Sequence, residues 1–245
     1  NNSYEASSVQ AFAAAGDPSL LRVSQVDYVK PEQMQSMEFG FRGKLSRTFT
    51  VDAAVYRNDF QDFINTQVVL SPLYGEVGDG GLSVLAMANG DFETWSSYTN
   101  SPAEISSWGI SLGAQTKIFG NFDLSANYTK AKLEFEQELY PDFRTNWNTP
   151  EHKIKAQFGN TELFKNFGFN VAWRYWSEYL WQASFGDGMV PDTHVIDAQF
   201  NLTVPKWKST IKVGATNLGG EEYFTAFGSG FIGTQYYISW TANNF

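Results

Sequence analysis

The sequence predicts an all-β protein, and more specifically an antiparallel transmembrane β-barrel. Three observations support this prediction. Apolar and polar residues alternate along most of the chain, several alternating runs exceed the usual strand length, and short and long connections follow one another in turn. Alternation alone would fit a soluble β-sandwich equally well. The other two observations favour the barrel.

Period-two alternation predicts about nine strands. In the first, Met37, Phe39 and Phe41 fall on one face, whereas Glu38 and Arg42 fall on the other. One or two helical turns are expected only at Val9–Ala15. The predicted strands are Ser36–Leu45, Phe49–Asp59, Gly109–Ile118, Phe122–Glu136, His152–Asn160, Phe167–Trp176, Val195–Val204, Ser209–Thr216 and Thr234–Ala242.

Several strands are long. Phe49–Ile64, Phe122–Glu136 and Asn166–Leu180 can each run past ten residues. Strands of soluble domains usually have about 5–6 residues, whereas strands that cross a bilayer at a tilt need about 9–11. The length of these runs therefore favours a membrane barrel.

The connections between strands alternate in length, as in outer-membrane barrels with short periplasmic turns and long extracellular loops. An odd number of strands entered from outside predicts an incomplete barrel, unless a further strand lies within Ser19–Val29. The short turns are Ser46–Thr48, Gly120–Asn121, Asn160–Lys165 and Pro205–Lys208, and the long loops are Thr66–Ala103, Leu139–Pro150, Gln182–Asp192 and Asn217–Gly233.

Composition excludes several classes of protein. The net charge of -9 argues against nucleic acid as a partner, because such proteins present basic surfaces. The absence of cysteine removes disulfides and thiolate metal sites. No apolar run approaches the roughly 18 residues that a spanning helix needs. Aromatic residues make up 17% of the chain, which suits the girdles of a membrane barrel and predicts outer-membrane lipid as a partner.

Three short motifs occur in an order typical of one family. Lys-Pro-Glu precedes a strand of the form Glu-x-Gly-x-Arg, Pro-x-His-Lys begins a later strand, and Asn-Leu precedes a Gly-rich loop and the last strand. In this order they resemble the signatures of TonB-dependent outer-membrane receptors. The residues that carry the resemblance are Pro31, Glu32, Glu38, Gly40, Pro150, His152, Asn217 and the terminal aromatic Phe245.

The resemblance implies a barrel of about 22 strands closed around a plug. Residues 1–35 would then be an extracellular loop segment that leads into the barrel, and residues 36–245 its C-terminal strands. The plug and earlier strands would lie outside this chain. The resemblance also implies a Gram-negative outer-membrane receptor without a cofactor, which takes up a scarce bulky solute (a siderophore, cobalamin, a glycan or a peptide). The TonB complex would act through the missing N-terminal region.

Aromatic residues in the predicted extracellular loops are the candidate ligand-binding residues, because exposed rings offer a large apolar contact area. The alternative, that they belong to the upper girdle or pack the loops together, is the more common role of such residues. These residues are Tyr74, Trp95, Tyr98, Trp147 and Trp181. The longest loop is acidic, which disfavours a strongly anionic ligand near it; its carboxylates are Glu76, Asp79, Asp91, Glu93 and Glu104.

The two histidines do not indicate chemistry. His194 lies near Asp192 and Asp197, an arrangement that could suggest a metal or an acid–base pair, but such residues are common at strand ends. We therefore expect no enzyme activity and no metal site.

Other functions remain open. A passive diffusion channel would need no plug, and an interaction role with a surface lipoprotein or a secretion or assembly complex would also suit long loops. An outer-membrane enzyme would need a cluster of reactive side chains, and a β-sandwich lectin would stay soluble without detergent.

Overall fold

The computed structural model describes residues 2–242, so Phe245 lies outside the described residues. Within residues 2–242 there are two α-helices, fifteen strands and two short 3-10 helices, Pro18–Leu20 and Pro205–Trp207. In chain order these are β1 (Tyr4–Glu5), α1 (Ala6–Ala15), β2 (Gln33–Lys44), β3 (Thr50–Gln61), β4 (Ile64–Pro72), α2 (Leu82–Asn89), β5 (Phe92–Asn100), β6 (Ile105–Ile118), β7 (Phe122–Glu134), β8 (Phe143–Arg144), β9 (His152–Phe164), β10 (Phe167–Trp176), β11 (Tyr179–Ala183), β12 (Gly186–Val190), β13 (Thr193–Val204), β14 (Ser209–Thr216) and β15 (Gln235–Ala242).

Nine strands form the main sheet, in the order β2-β3-β6-β7-β9-β10-β13-β14-β15, and every neighbouring pair is antiparallel. They are the nine strands that alternation predicts. The first and last strands, β2 and β15, leave one edge each without a partner strand among residues 2–242. The sheet is therefore an open arc of barrel wall.

The two faces of the main sheet differ in chemistry. Because directly paired residues share a face, the register places Phe41, Ala53 and Leu112 in one row. Arg42 and Asp52 lie in the adjacent row on the opposite face. We call these the apolar face and the polar face. The apolar face is open, since Phe39 is 75% and Ile238 77% exposed.

The connections alternate in length, as the sequence predicts. Since consecutive strands are antiparallel, all short turns lie at one end of the sheet and all long connections at the other. Strand β2 runs towards the short-turn end, so residues 2–32 lie at the long-connection end. The short turns are residues 45–49, 119–121, 165–166 and 205–208, and the long connections are residues 62–104, 135–151, 177–192 and 217–234.

These long connections and residues 2–32 form a second layer, which we call the loop layer. In it β4 pairs with β1, β5 and β8, and β11 pairs with β12 as a hairpin. A small apolar core joins α1, α2 and this second sheet. The core residues are Tyr4, Ala6, Val9, Phe12, Leu70 and Met87.

The loop layer contains more regular structure than the sequence predicts. The predicted turns at Val9–Ala15 become the ten-residue helix α1, which begins at Ala6. Helix α2 was not predicted. No strand forms within Ser19–Val29, where Val23 makes a single bridge to Tyr4. Among residues 2–242, neither helix is long and apolar enough to cross a membrane.

Candidate functional site

The polar face of the main sheet is concave and hydrophilic. A cleft of about 870 Å³ lies on it, lined by side chains such as Gln157, Asn170 and Gln199. Ion pairs join neighbouring strands across this face. They are Arg42–Asp52 at 3.8 Å, Lys117–Asp123 at 2.9 Å and Arg174–Asp197 at 2.8 Å. The face can therefore hold water or a polar solute.

Tyrosine rings lie over glycines on this face. Tyr56 is paired with Gly109, and Tyr237 with Gly214. A Cβ at Gly109 would lie 2.5 Å from the Tyr56 ring and 2.6 Å from the Lys130 carbonyl oxygen. Each glycine therefore allows a ring to lie flat against the wall, which keeps the concavity open.

A smaller pocket of about 330 Å³ lies where the polar face meets the loop layer, and we call it the mouth pocket. The sequence prediction identified only one of its aromatic residues, Trp181. Its lining residues from β9, β10 and β11 are Lys153, Ile154, Lys155, Arg174, Tyr175, Trp176, Tyr179 and Trp181.

Loop connections roof the mouth pocket. The Tyr179 hydroxyl donates to the Thr225 carbonyl oxygen at 2.7 Å. The Tyr223 ring meets Trp176 edge-on, with centroids 5.4 Å apart. Burial raises the pKa of the Tyr179 hydroxyl above its ordinary value, so this donor stays protonated at neutral pH.

The five predicted loop aromatics do not converge on one site. Trp95 and Tyr98 are exposed on β5 and, being three residues apart, point to opposite faces of it. Trp147 lines a cleft of about 340 Å³ beside the hairpin, and Trp181 lines the mouth pocket.

Tyr74 has a structural contact in the loop layer. Its hydroxyl donates to the Asp91 carboxylate at 2.8 Å and accepts from the Asn89 amide at 3.1 Å. The hydrogen bond to Asp91 raises the pKa of Tyr74 above its ordinary value. This pairing joins residue 74 to the end of helix α2.

The carboxylates of the longest loop divide into two groups. Asp79 accepts from the Gly81 N–H at 2.9 Å and the Ser83 hydroxyl at 2.8 Å at the start of α2. These hydrogen bonds, that of Gly81 first, hold the pKa of Asp79 below its usual range. The exposed glutamates are Glu76, Glu93 and Glu104. Asp79 therefore stabilises a helix, whereas the three glutamates face solvent.

The first family motif anchors the chain where it joins the main sheet. The Ile64 N–H donates to the Glu32 carboxylate at 2.8 Å. The Asn100 side chain accepts from the Lys30 N–H at 2.7 Å and donates to the Lys30 carbonyl at 2.9 Å. Pro31 lies between these two anchors. Glu38 and Gly40 follow on the polar face of β2.

Asn217 anchors the Gly-rich loop at both ends. Its side-chain amide donates to the Glu221 carbonyl at 2.9 Å, and its own carbonyl accepts from the Thr234 hydroxyl at 2.6 Å. Its φ of 52° lies in the left-handed region that asparagine tolerates. The motif therefore sets the shape of the connection before β15.

Both histidines lie on the apolar face, near the loop layer. The Tyr128 hydroxyl is 2.8 Å from His152 Nδ1, and Pro150 is buried just before this strand. The Tyr175 ring stacks on His194 with centroids 4.7 Å apart. Asp197 is on the polar face, so it cannot act together with His194. Residues 2–242 contain no group of three or more His, Asp or Glu that could hold a metal ion.

The sequence matches a family model described as "TonB dependent receptor-like, beta-barrel" over residues 1–218. A search of curated proteins gives no match. Among solved structures, the copper transporter OprC is 18% identical, with a TM-score of 0.59, over 87% of this chain and 32% of that one.

Two further solved structures have a similar fold. The FrpB iron transporter from Neisseria meningitidis is 13% identical, with a TM-score of 0.60, over 89% of this chain and 32% of that one. A chain in the FpvAI–pyocin S2 complex is 11% identical, with a TM-score of 0.61, over 86% of this chain and 28% of that one. The present chain thus spans 28–32% of the length of these three structures.

Proposed function

Because this chain belongs to the TonB-dependent receptor β-barrel family, we propose that it is the C-terminal part of a barrel that imports a scarce bulky solute with energy from TonB. Barrels of this family are outer-membrane proteins of Gram-negative bacteria. The members of the family are receptors and transporters. In this setting the apolar face contacts lipid, the polar face lines the lumen, and the loop layer is extracellular.

The contrast between the two faces of the main sheet carries the proposal. One face exposes rings and aliphatic side chains, whereas the other is concave, polar and joined by ion pairs. Closure by earlier strands to about 22 would satisfy the free edges of β2 and β15, which would otherwise be costly in hydrocarbon. The plug and the segment that contacts TonB belong to the region before residue 1 in this proposal.

The solute would be captured by the loop layer and the lumen and released inward when the plug rearranges under force. No bond of the solute is made or broken. By their names, two of the similar structures are transporters of copper and of iron. For this chain we propose the broader class of a siderophore, cobalamin, a glycan or a peptide. The loop aromatics Tyr74, Trp95, Tyr98, Trp147 and Trp181 are proposed contacts.

Replacing Thr66–Ala103 in the intact receptor by a short Gly/Ser turn tests where the ligand is captured. We expect loss of solute binding and of TonB-dependent uptake, because most of β4, α2 and β5 is removed. Barrel assembly should survive, because the main sheet does not include these elements. Heat-modifiable migration of the folded receptor on gels checks assembly. Unchanged solute binding would refute capture by this loop.

A second candidate is an interaction role with a surface lipoprotein or in a secretion or assembly complex. Strand β5 favours it, because its outer edge has no partner strand among residues 2–242 and Trp95 and Tyr98 are exposed on it. Such an edge can pair with an extended segment of another protein. Co-purification of a partner protein from native membranes tests this role, with a variant that carries both Trp95→Ala and Tyr98→Ala for comparison.

A passive channel would instead give TonB-independent conductance in planar bilayers.

A further inference from the structure

Four nitrogen-bearing side chains meet on one side of the mouth pocket. Lys153 and Lys155 are two residues apart on β9 and share the polar face. Their direct partners on β10 are Trp176 and Arg174. Residues paired in this way have Cβ atoms about 5 Å apart, so three cationic groups and an indole N–H form a compact square.

The positive charge of the two lysines is not neutralised locally. Lys155 is directly opposite Arg174, and like charges in that position are destabilising. Within residues 2–242, neither Lys153 nor Lys155 has a carboxylate within 4.0 Å. Asp197 is already used, because it pairs with Arg174 at 2.8 Å and accepts from the Asn217 N–H at 3.1 Å.

Two N–H donors of the square lack acceptors. The Arg174 Nε and Trp176 Nε1 atoms are buried without a hydrogen-bond partner in the described chain. A buried donor without an acceptor costs the desolvation energy of that group. Among the described residues, those that line the pocket include no aspartate or glutamate. The pocket therefore offers donors and positive charge but no anionic acceptor.

Aromatic rings form another part of the pocket wall. Tyr179 and Trp181 come from the hairpin of the loop layer, with ring centroids 6.4 Å apart. Flat apolar groups pack well against such rings. This lining differs from the chain as a whole, which carries a net charge of -9, and from the acidic longest loop.

We infer that the mouth pocket binds an organic anion, with its carboxylate or phosphate on Lys153, Lys155, Arg174 and Trp176 and its flat apolar body against Tyr179 and Trp181. This inference rests on the proposed function, since it assigns the anionic part of the imported solute to this pocket. The anion would supply the acceptors that the square lacks and would relieve the repulsion between the paired cations.

Binding of simple probes to the intact receptor in detergent tests this inference. Saturation-transfer NMR measures binding of benzoate and of the uncharged benzyl alcohol. Inorganic phosphate has no carbon-bound protons, so its binding is measured by how far it displaces benzoate. We expect benzoate to bind more tightly than phosphate, which lacks the apolar body, and benzyl alcohol to bind weakly because it lacks the charge. Lys153→Gln and Lys155→Gln should each weaken benzoate binding about tenfold, as loss of a charged hydrogen bond would.

Two controls isolate the pocket. Lys212→Gln removes another exposed lysine of the polar face, on β14 and outside the pocket, and should leave benzoate binding unchanged. Trp176→Phe keeps the ring but removes the unpaired N–H, and should weaken benzoate binding without changing barrel assembly. Equal benzoate binding in Lys155→Gln and Lys212→Gln would overturn the inference.

The same variants distinguish an anionic solute from a carboxylate of the receptor's own plug. If no probe binds the intact receptor and Lys155→Gln lowers its thermal stability, the pocket holds a carboxylate of the receptor itself and the inference is wrong. If no probe binds and stability is unchanged, it is also wrong. TonB-dependent uptake that persists without benzoate binding would leave the proposed function intact. Benzoate binding without TonB-dependent uptake would refute only the proposed function.

Discussion

Single residues decide the shape of the polar face and the stability of the loop layer. Cross-strand register places a glycine beneath Tyr56 and another beneath Tyr237. The sequence alone does not predict that register with enough precision. Asn217 was identified in the sequence as part of the third family motif, and the structure adds that it holds both ends of the Gly-rich loop. The sequence shows Lys155 and Arg174 as polar-face charges, but their direct pairing needs the register of β9 with β10.

We predict that Gly109→Ala destabilises the barrel by about 1–3 kcal/mol, as overpacking does. The new methyl group would meet both the Tyr56 ring and the Lys130 carbonyl oxygen, and the latter belongs to the backbone and cannot swing away. Urea unfolding of the intact receptor in lipid vesicles, followed by tryptophan fluorescence, measures this change. The matched control is Ser111→Ala on the same face of β6. Equal stability of the two variants would contradict the close packing at Gly109.

A second prediction concerns the Asp79 carboxylate and pH. Hydrogen bonds from Gly81 and Ser83 hold its pKa below the ordinary value. The ionised form therefore stabilises the start of α2 at neutral pH. That contribution should be lost as the pH falls below about 4, the ordinary pKa of an aspartate.

Hydrogen exchange measures this effect as protection factors for the amides of α2, corrected for the intrinsic exchange rate at each pH. Protection should fall with acidification in the natural chain and should be low at every pH in Asp79→Ala. Full protection of α2 in Asp79→Ala at neutral pH would show that the carboxylate does not hold the helix.

At the scale of elements, local patterns predicted the main sheet but not the loop layer. The nine strands are visible because each alternates over eight or more residues. The second sheet forms between segments far apart in sequence, such as Tyr4 and Leu70. Its strands β1 and β8 have only two residues each, and β4 and β5, with nine residues each, show no clear alternation of apolar and polar residues. Helix α2 is flanked by Gly81 and Gly90. These two glycines mark the ends of the helix and are visible in the sequence.

We predict that Phe12→Ala disrupts the loop layer while the main sheet still assembles. Phe12 is 6% exposed within the core of that layer, and loss of a buried phenylalanine costs about 3–5 kcal/mol. Limited proteolysis should cleave residues 62–104 faster, whereas the heat-modifiable gel shift of the barrel should persist. The control is Gln10→Ala, an exposed position of the same helix. Loss of the gel shift in Phe12→Ala would mean that the two layers fold as one unit.

At the scale of the whole molecule, the two layers are stabilised differently. The loop layer buries a core of its own, whereas the main sheet exposes large side chains such as Phe39, Ile238 and Trp240. Soluble monomeric proteins rarely expose so broad an apolar face to water. Alternation, strand length and connection length in the sequence predicted this face correctly. The identity of the solute and the strands that would close the barrel could not be predicted from alternation and loop lengths in this chain.

The most direct test of the account is a scan of spin labels along β13, β14 and β15 of the intact receptor in lipid vesicles, which compares collisions with oxygen and with a water-soluble nickel chelate. Labels on the apolar face, at Phe200, Val213 and Ile238, should be accessible to oxygen and shielded from nickel. Labels on the polar face, at Gln199, Lys212 and Ser239, should show the reverse. If labels on the apolar face are shielded from both reagents, those side chains pack against protein, and the account of a lipid-facing barrel wall is wrong.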